Sequence, residues 1–156
     1  MSKICCFTGH RDIKRKNYNE VTVRLEGQLR HLIENEDVTI FRAGGACGFD
    51  TLAAISVLKL KREYPHIKLH LLLPCKNQEK LFEISEKRLY RYVLANADEV
   101  KFINERYSSG VMKARNRALV DGADICVAYL SKSTGGTYQT VGMARKAGIS
   151  VINVSG

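Results

Sequence analysis

The residues best suited to chemistry form a glycine-rich stretch, AGGACGFDTLAA, between an apolar run at 38–41 and a helical pattern. Gly44 and Gly45 interrupt the run, and Asp50 opens the helical repeat. Because glycine has no Cβ, such a turn lets a ligand approach the backbone, and the helix start points free N–H groups at it. This arrangement suits phosphate and other anions. The alternative is a plain tight turn with Asp50 as the N-cap.

A second polar cluster consists of Thr8, Gly9, His10 and Arg11, directly after the apolar run at 4–7. Ligands of open α/β sheets bind outside the carboxyl ends of strands, so this cluster is a candidate pocket floor. Arg11 offers a fork of donors for phosphate or carboxylate, and His10 can donate, accept or shuttle a proton near neutral pH. Alternatively, His10 caps a turn and Arg11 is a surface charge.

A third cluster lies in SKSTGGT, where Gly135, Gly136 and Thr137 separate another strand-like run from another helix start. The basic helical segment MKARNRALVDG, which contains Arg115 and Asn116, precedes that run. Two such glycine turns, each at a strand end that faces a helix N-terminus, can hold a phosphate or pyrophosphate from two sides.

The sequence patterns around two further residues give weaker indications of a functional role. Gln78 follows the strand-like run KLHLLLP, where it could contact a base or ribose or simply cap a helix. Cys47 lies near a predicted helix N-terminus, which can lower the pKa of a thiol. The five cysteines lack CxxC spacing, and we expect them mainly as buried small hydrophobic residues. No cluster of ligands predicts a metal site.

Composition and charge limit the class of protein. The 156 residues are 45% hydrophobic and 26% charged, and we expect residues 1–156 to form a single domain. Without a leader-like segment or about 18 consecutive apolar residues, we expect a cytoplasmic protein without membrane contact. The net charge of +9 favours anionic partners such as nucleotide phosphates, nucleic acid or acidic metabolites, or it only keeps helix faces solvated.

The elements that must position these groups alternate along the chain. Apolar runs predict strands at 4–7, 38–41, 67–73, 99–103, 125–130 and 149–154. Helical spacing predicts helices at 18–35, 51–64, after residue 82 to about 97, at 112–122 and at 138–147. This alternation predicts an α/β fold of three layers, with a mostly parallel sheet of about six strands.

Five segments, taken in order, carry a family resemblance: TGHR, AGGACGFDTLAA, LPCKNQEKLF, KARNRALVDGAD and STGGTYQTVGMARKAG. Together they resemble the YpsA-like branch of the SLOG superfamily, which is named after the DNA-processing protein Smf and the cytokinin-activating LOG enzymes. The resemblance implies a Rossmann-like fold and a nucleotide or nucleotide-derived ligand, with no required cofactor. Superfamily members are often dimers, so a homodimer is possible. The superfamily includes phosphoribohydrolases, DNA-binding members and ligand sensors.

The resemblance to the LOG enzymes is partial. Their motif has the form PGGxGTxxE, and its glutamate and an upstream arginine are implicated in cleaving the N-glycosidic bond of a nucleoside monophosphate. The arginine falls on Arg115, the threonine on Thr137 and the glutamate on Thr140. A hydroxyl there removes the group best able to stabilise an oxocarbenium-like centre or activate water. Asp50 or Glu79 could replace the missing acid, and Asp50 is the more plausible because it would lie beside the glycine turn, which leaves Asp50 and Arg115 as catalytic candidates.

The leading hypothesis is a domain that binds or senses a nucleotide or a derivative such as an ADP-ribose-type ligand. The candidate ligand-binding residues are Thr8, Gly9, His10, Arg11, Gly44, Gly45, Asp50, Gln78, Arg115, Asn116, Gly135, Gly136 and Thr137. The alternatives are a nucleotide N-glycosidic hydrolase and a DNA-binding protein of the Smf kind, for which the net charge is the direct support.

Overall fold

The computed structural model describes residues 2–155, in which strands and helices alternate as the sequence predicts. The strands are β1 Lys3–Gly9, β2 Val38–Ala43, β3 Lys68–Leu73, β4 Glu99–Phe102, β5 Ile125–Tyr129 and β6 Ser150–Asn153. The helices are α1 Tyr18–Asn35, α2 Phe49–Leu60, α3 Ile84–Asn96, α4 Val111–Val120 and α5 Gly136–Lys146, with short 3₁₀ helices at Arg15–Asn17 and Gln78–Leu81.

All five strand pairings in the described sheet are parallel, in the order β4-β3-β2-β1-β5-β6. The chain therefore builds outward from β1 to β4 and then crosses back, so that β5 pairs with the other side of β1. In a sheet of this kind the connections leave the carboxyl ends of the two central strands in opposite directions and open a crevice between them. The three-layer Rossmann-like α/β fold is confirmed.

Alternation within β1 divides the core into two layers. Phe7 packs against Phe41 in the larger apolar cluster, which takes its helical residues from α1, α2 and α3. Cys6 belongs to the smaller cluster, which lies on the opposite face with α4 and α5. Because helices cover both faces, the central strands are apolar on both sides, as expected for a parallel sheet.

Several element boundaries differ from the predicted ones, and most of them lie near glycine. Thr8 and Gly9 belong to β1 itself instead of following it. Helix α2 begins at Phe49 with Gly48 in the capping position, so Asp50 is a first-turn residue and not the N-cap. Gly48 has a φ of 78°, a conformation that glycine adopts without strain.

Two helices are shorter than predicted. Helix α2 ends at Leu60, and the following turn leads to Pro65, whereas the sequence predicts a helix to residue 64. Helix α4 ends at Val120, before the glycine of a turn. Within residues 2–155 we find no helix with the length and apolar character needed to cross a bilayer.

Candidate functional site

A cavity of about 320 Å³, here called the first cavity, lies at the carboxyl end of β1, where the strand order reverses. It brings together most of the predicted ligand-binding residues, although they come from distant parts of the chain. Those lining it are Thr8, Gly9, His10, Arg11, Asp50, Arg115, Asn116, Gly136 and Thr137.

Four predicted residues lie outside the lining of this cavity. A Cβ added at Gly44 would lie 2.6 Å from Nη1 of Arg115, and one at Gly45 would lie 2.9 Å from Nε2 of Gln78. These two glycines therefore make room for neighbouring side chains. Gln78 lines a separate cavity, and Gly135 occupies the N-cap position of α5 with a φ of 97°.

Arg115 and Asp50 are two buried, oppositely charged residues in the wall of the first cavity, each only 4% exposed. Arg115 donates from Nη1 to the carbonyl oxygen of Gly44, and from Nε to Oδ1 of Asn116 at 2.9 Å. Asp50 Oδ2 accepts from the backbone N–H of Ala46 at 3.3 Å. Both groups are thus fixed by hydrogen bonds at the cavity wall.

Burial has the largest effect on the pKa of Asp50. It raises the pKa of this carboxyl to about 6, although the charge of Arg115 and the N–H of Ala46 act in the opposite direction. Burial thus acts against the stabilisation that a helix N-terminus gives to an ionised aspartate, although a carboxyl with this pKa is still mostly ionised at pH 7. Burial also lowers the pKa of Arg115, and Asp50 partly offsets this effect.

The segment after β1 is held to both neighbouring elements. The carbonyl of His10 accepts from the N–H of Phe49 at 3.2 Å, and its Nε2 accepts from the N–H of Ser131 at 3.0 Å. Nε2 is therefore unprotonated in this arrangement. Burial and the charge of Lys132 lower the pKa of the imidazole. A Cβ at Gly48 would lie 2.1 Å from the carbonyl oxygen of Arg11, so that position needs glycine.

The start of α5 forms another wall of the first cavity, through Gly136 and the buried Thr137. One turn later, Thr140 is fully buried and donates from Oγ1 to the carbonyl of Gly136 at 2.8 Å. The residue at the position of the LOG glutamate is thus engaged within the helix.

Three lining residues, Ala46, Met112 and Leu119, are absent from the sequence-based site. Met112 and Leu119 lie three residues before and four after Arg115, so helical spacing from that arginine could have identified them. For Ala46 the only signal is its position after the two glycines.

The cysteine chemistry considered for Cys47 does not fit its surroundings. Burial and a hydrogen bond with Glu86 raise the pKa of its thiol to about 12, so the expected lowering by a helix N-terminus is wrong. All five cysteines are free. Across residues 2–155, no group of three or more histidine, cysteine or acidic side chains could hold a metal ion.

Comparisons with known proteins identify the family of this chain. The model of the YpsA family, described as the YspA SLOG family, matches residues 5–148. The SPbeta prophage-derived protein YoqJ of Bacillus subtilis is 30% identical over 135 residues, which cover 79% of each chain.

Two solved structures share the fold at low identity. DNA processing protein A (DprA) from Streptococcus pneumoniae has a TM-score of 0.67 at 18% identity over 96% of this chain. DprA from Helicobacter pylori, described for its single-stranded DNA binding mode, has a TM-score of 0.68 at 15% identity over 96% of this chain. This chain spans 49% and 63% of those two proteins. Since the family match takes in all five motif segments, from TGHR to STGGTYQTVGMARKAG, the chain belongs to the YspA SLOG family.

Proposed function

We propose that this chain binds a nucleotide or nucleotide derivative in the first cavity and acts as a binding or sensing domain. The observation that carries the proposal is the buried Arg115, which lines that cavity together with the start of α5. An arginine fork and a helix N-terminus are two independent features that favour phosphate.

The charges of the first cavity support an anionic ligand. Arg11 and Arg115 line it, and Asp50 is the one carboxylate among its lining residues. Because the pKa of Asp50 is raised to about 6, a proton can neutralise this group at modest cost when an anion enters. The protonated carboxyl would then donate a hydrogen bond to the ligand.

The start of α5 leaves space for close approach. A Cβ added at Gly136 would meet only Nδ2 of Asn116, at 3.9 Å, among the atoms within 4 Å of it. The hydroxyl of Thr137 and the first N–H groups of α5 would contact the phosphates, and Thr8 and Asp50 would contact the ribose.

The first test is a thermal-shift screen of the full chain against AMP, ADP, ATP, ADP-ribose and NAD. A ligand present at a hundred times its dissociation constant stabilises the fold by about 2.7 kcal/mol. Arg11→Gln should reduce the shift, since Arg11 is exposed and lines the cavity. Arg15→Gln is the matched control, because Arg15 is also exposed and does not line the cavity. The absence of a shift with every nucleotide would contradict the proposal.

A second candidate function, hydrolysis of a nucleotide N-glycosidic bond, is favoured by the raised pKa of Asp50. A cavity carboxyl that titrates near neutral pH suits general acid–base catalysis. Product analysis of each ligand that binds would decide. Release of free base by the wild-type chain, lost in Asp50→Asn with binding retained, would establish the hydrolase; recovery of intact ligand supports the sensor.

Single-stranded DNA belongs in the same screen, because DprA from Helicobacter pylori shares the fold and this chain carries a net charge of +9. DNA binding through backbone phosphates would weaken steeply with added salt. If DNA binding weakens with salt in this way and is unaffected by Arg11→Gln, the DNA binds outside the first cavity. That result would favour a DNA-binding function.

A further inference from the structure

A larger cavity of about 680 Å³, here called the second cavity, adjoins the first one on the side of β3 and β4. Arg11 and Met112 line both cavities, so the two share a wall. The second cavity is further lined by residues that follow β3, including Gln78 and Phe82, and by Tyr107 from the segment between β4 and α4.

The walls of the second cavity suit a planar ring. Phe82 is held edge-to-face against Tyr90, with ring centroids 5.6 Å apart. Tyr107 is 73% exposed and Leu81 is 94% exposed, and both line the cavity. Exposed apolar side chains at the mouth of a cavity are typical of ligand-binding surfaces, and aromatic rings offer stacking platforms for bases. The amide of Gln78, 3.4 Å from Oη of Tyr90, adds a hydrogen-bonding group.

The two cavities differ in the charged residues that line them. The first cavity contains two arginines and one carboxyl, the pKa of which is raised by burial to about 6. The lining of the second cavity has mixed charges, with two acidic residues and three basic ones: Asp12, Glu86, Arg11, Lys76 and Lys80. Arg115 and the start of α5 favour phosphate in the first cavity, whereas the mixed charges of the second cavity leave it open to a neutral group.

The larger part of the combined volume lies in the second cavity. At about 320 Å³, the first cavity lies at the lower end of the range of about 300 to 1,000 Å³ that is usual for ligand pockets. Phosphates placed there leave little space for a base, and the adjoining space is twice as large.

We propose that the ligand is two-ended, with a nucleobase in the second cavity and a diphosphate that passes Arg11 to reach Arg115 and the start of α5. This names the ligand class as a nucleoside diphosphate or an ester of one, in preference to a nucleoside monophosphate. The inference rests on the proposed nucleotide-binding function.

The test compares dissociation constants of pyrophosphate, AMP, ADP and ADP-ribose by calorimetry, using the full chain. Pyrophosphate probes the first cavity alone. ADP should bind at least tenfold more tightly than either pyrophosphate or AMP, because only ADP occupies both cavities with its full diphosphate.

Tyr107→Ala tests the contribution of the second cavity separately from that of the first. This exposed side chain can be removed without disturbing the core. It should weaken ADP and ADP-ribose by about fivefold or more, the loss that corresponds to one base–aromatic stacking contact of about 1 kcal/mol. It should leave pyrophosphate binding unchanged, and Tyr107→Phe should restore the affinity. Tyr92→Ala is the matched control, because Tyr92 is 47% exposed on α3 and lines neither cavity.

The outcomes separate the two proposals. If no phosphate compound binds, the nucleotide-binding function fails together with the inference. If ADP binds no more tightly than pyrophosphate or AMP, or if Tyr107→Ala has no effect, the two-cavity ligand is wrong while nucleotide binding stands. Equal weakening by Tyr107→Ala and Tyr92→Ala would also overturn the inference.

Discussion

The carboxyl of Asp50 and the guanidinium of Arg115 both lie beside the backbone of Gly44. An added Cβ at Gly44 would lie 2.9 Å from Oδ2 of Asp50 and 2.6 Å from Nη1 of Arg115. Asp50 on α2 and Arg115 on α4, which both line the first cavity, thus lie beside the same glycine. Burial raises the pKa of the Asp50 carboxyl, and the close packing limits the size of the side chain at position 44. Each of these effects has a measurable consequence.

Asp50→Asn should remove a pH dependence of stability. The pKa of Asp50 is about 6 in the fold, above its ordinary value of 3.8, so the native state binds this proton more tightly than the unfolded state. The contribution of Asp50 to the free energy of unfolding should therefore fall as the pH rises from about 4 to about 6, by about 3 kcal/mol in order of magnitude. Urea unfolding across this range measures the effect.

Asn is nearly the same size as Asp and can still accept from the N–H of Ala46. Asp12→Asn is the control, because Asp12 is exposed. The expected result is a flatter pH profile for Asp50→Asn and an unchanged slope for Asp12→Asn. Parallel profiles for wild type and Asp50→Asn would show that Asp50 does not titrate in this range.

Gly44→Ala should destabilise the fold by about 1 to 3 kcal/mol, the usual cost of overpacking a filled site. The new Cβ would push against the Arg115 guanidinium and the Asp50 carboxylate, and neither can move without losing a buried hydrogen bond. Denaturant midpoints measure the change. Gly27→Ala is the matched control: nothing lies within 4 Å of its Cβ position in α1, so alanine there should stabilise by about 0.5 to 1 kcal/mol. Equal effects of the two substitutions would contradict the packing shown at Gly44.

The imidazole of His10 should titrate below its ordinary value of 6.5, as followed by NMR. Protonation would remove the acceptor of the Ser131 N–H, so stability contributed by this bond should be lost as the pH falls from 6.5 through the lower pKa of the fold. Lys132→Ala should raise the pKa of His10, because it removes a neighbouring positive charge. A midpoint above 6.5 in wild type would contradict the hydrogen-bond assignment.

Cys47 should be slow to alkylate in the folded protein. Its pKa of about 12 leaves little thiolate at neutral pH, and the thiolate is the reactive form. Mass spectrometry after treatment with iodoacetamide should show little labelling of the native chain and five labels in urea. Glu86→Gln should speed labelling of Cys47, since the carboxylate of Glu86 raises the pKa, and glutamine still supports the capping box of α3. Rapid native labelling at Cys47 would show that its thiol is activated.

Local patterns in the sequence predict much of this fold. The repeat of Val21, Leu25 and Leu29 gives α1 its correct bounds, because one buried stripe at helical spacing is a local signal. The apolar runs give all six strands to within a few residues. Boundaries at the glycine turns are less exact, since a glycine can end a strand, cap a helix or continue either element.

The sequence identifies most of the residues that line the first cavity, but not how they pack against one another. Polar residues at strand ends can be recognised from sequence, because parallel strands bring their carboxyl ends to one edge. The contact of Arg115 with Gly44 spans 71 positions, and the burial of Asp50 depends on how α4 packs across the sheet. Such long-range contacts leave no periodic signal in one chain, so the sequence cannot distinguish a glycine that admits a ligand from one that makes room for arginine.

The two sides of the adjoining cavities differ in their tolerance of sequence change. Around Arg11 the backbone is packed against Gly48, where even a single methyl group would collide, so this turn resists substitution. The residues at 104–110, which carry Tyr107, are all exposed. Insertions and substitutions in that segment would disturb few contacts. Related proteins could therefore change the outer part of the ligand they recognise by evolving this segment, while inheriting unaltered the part for which we propose phosphate binding.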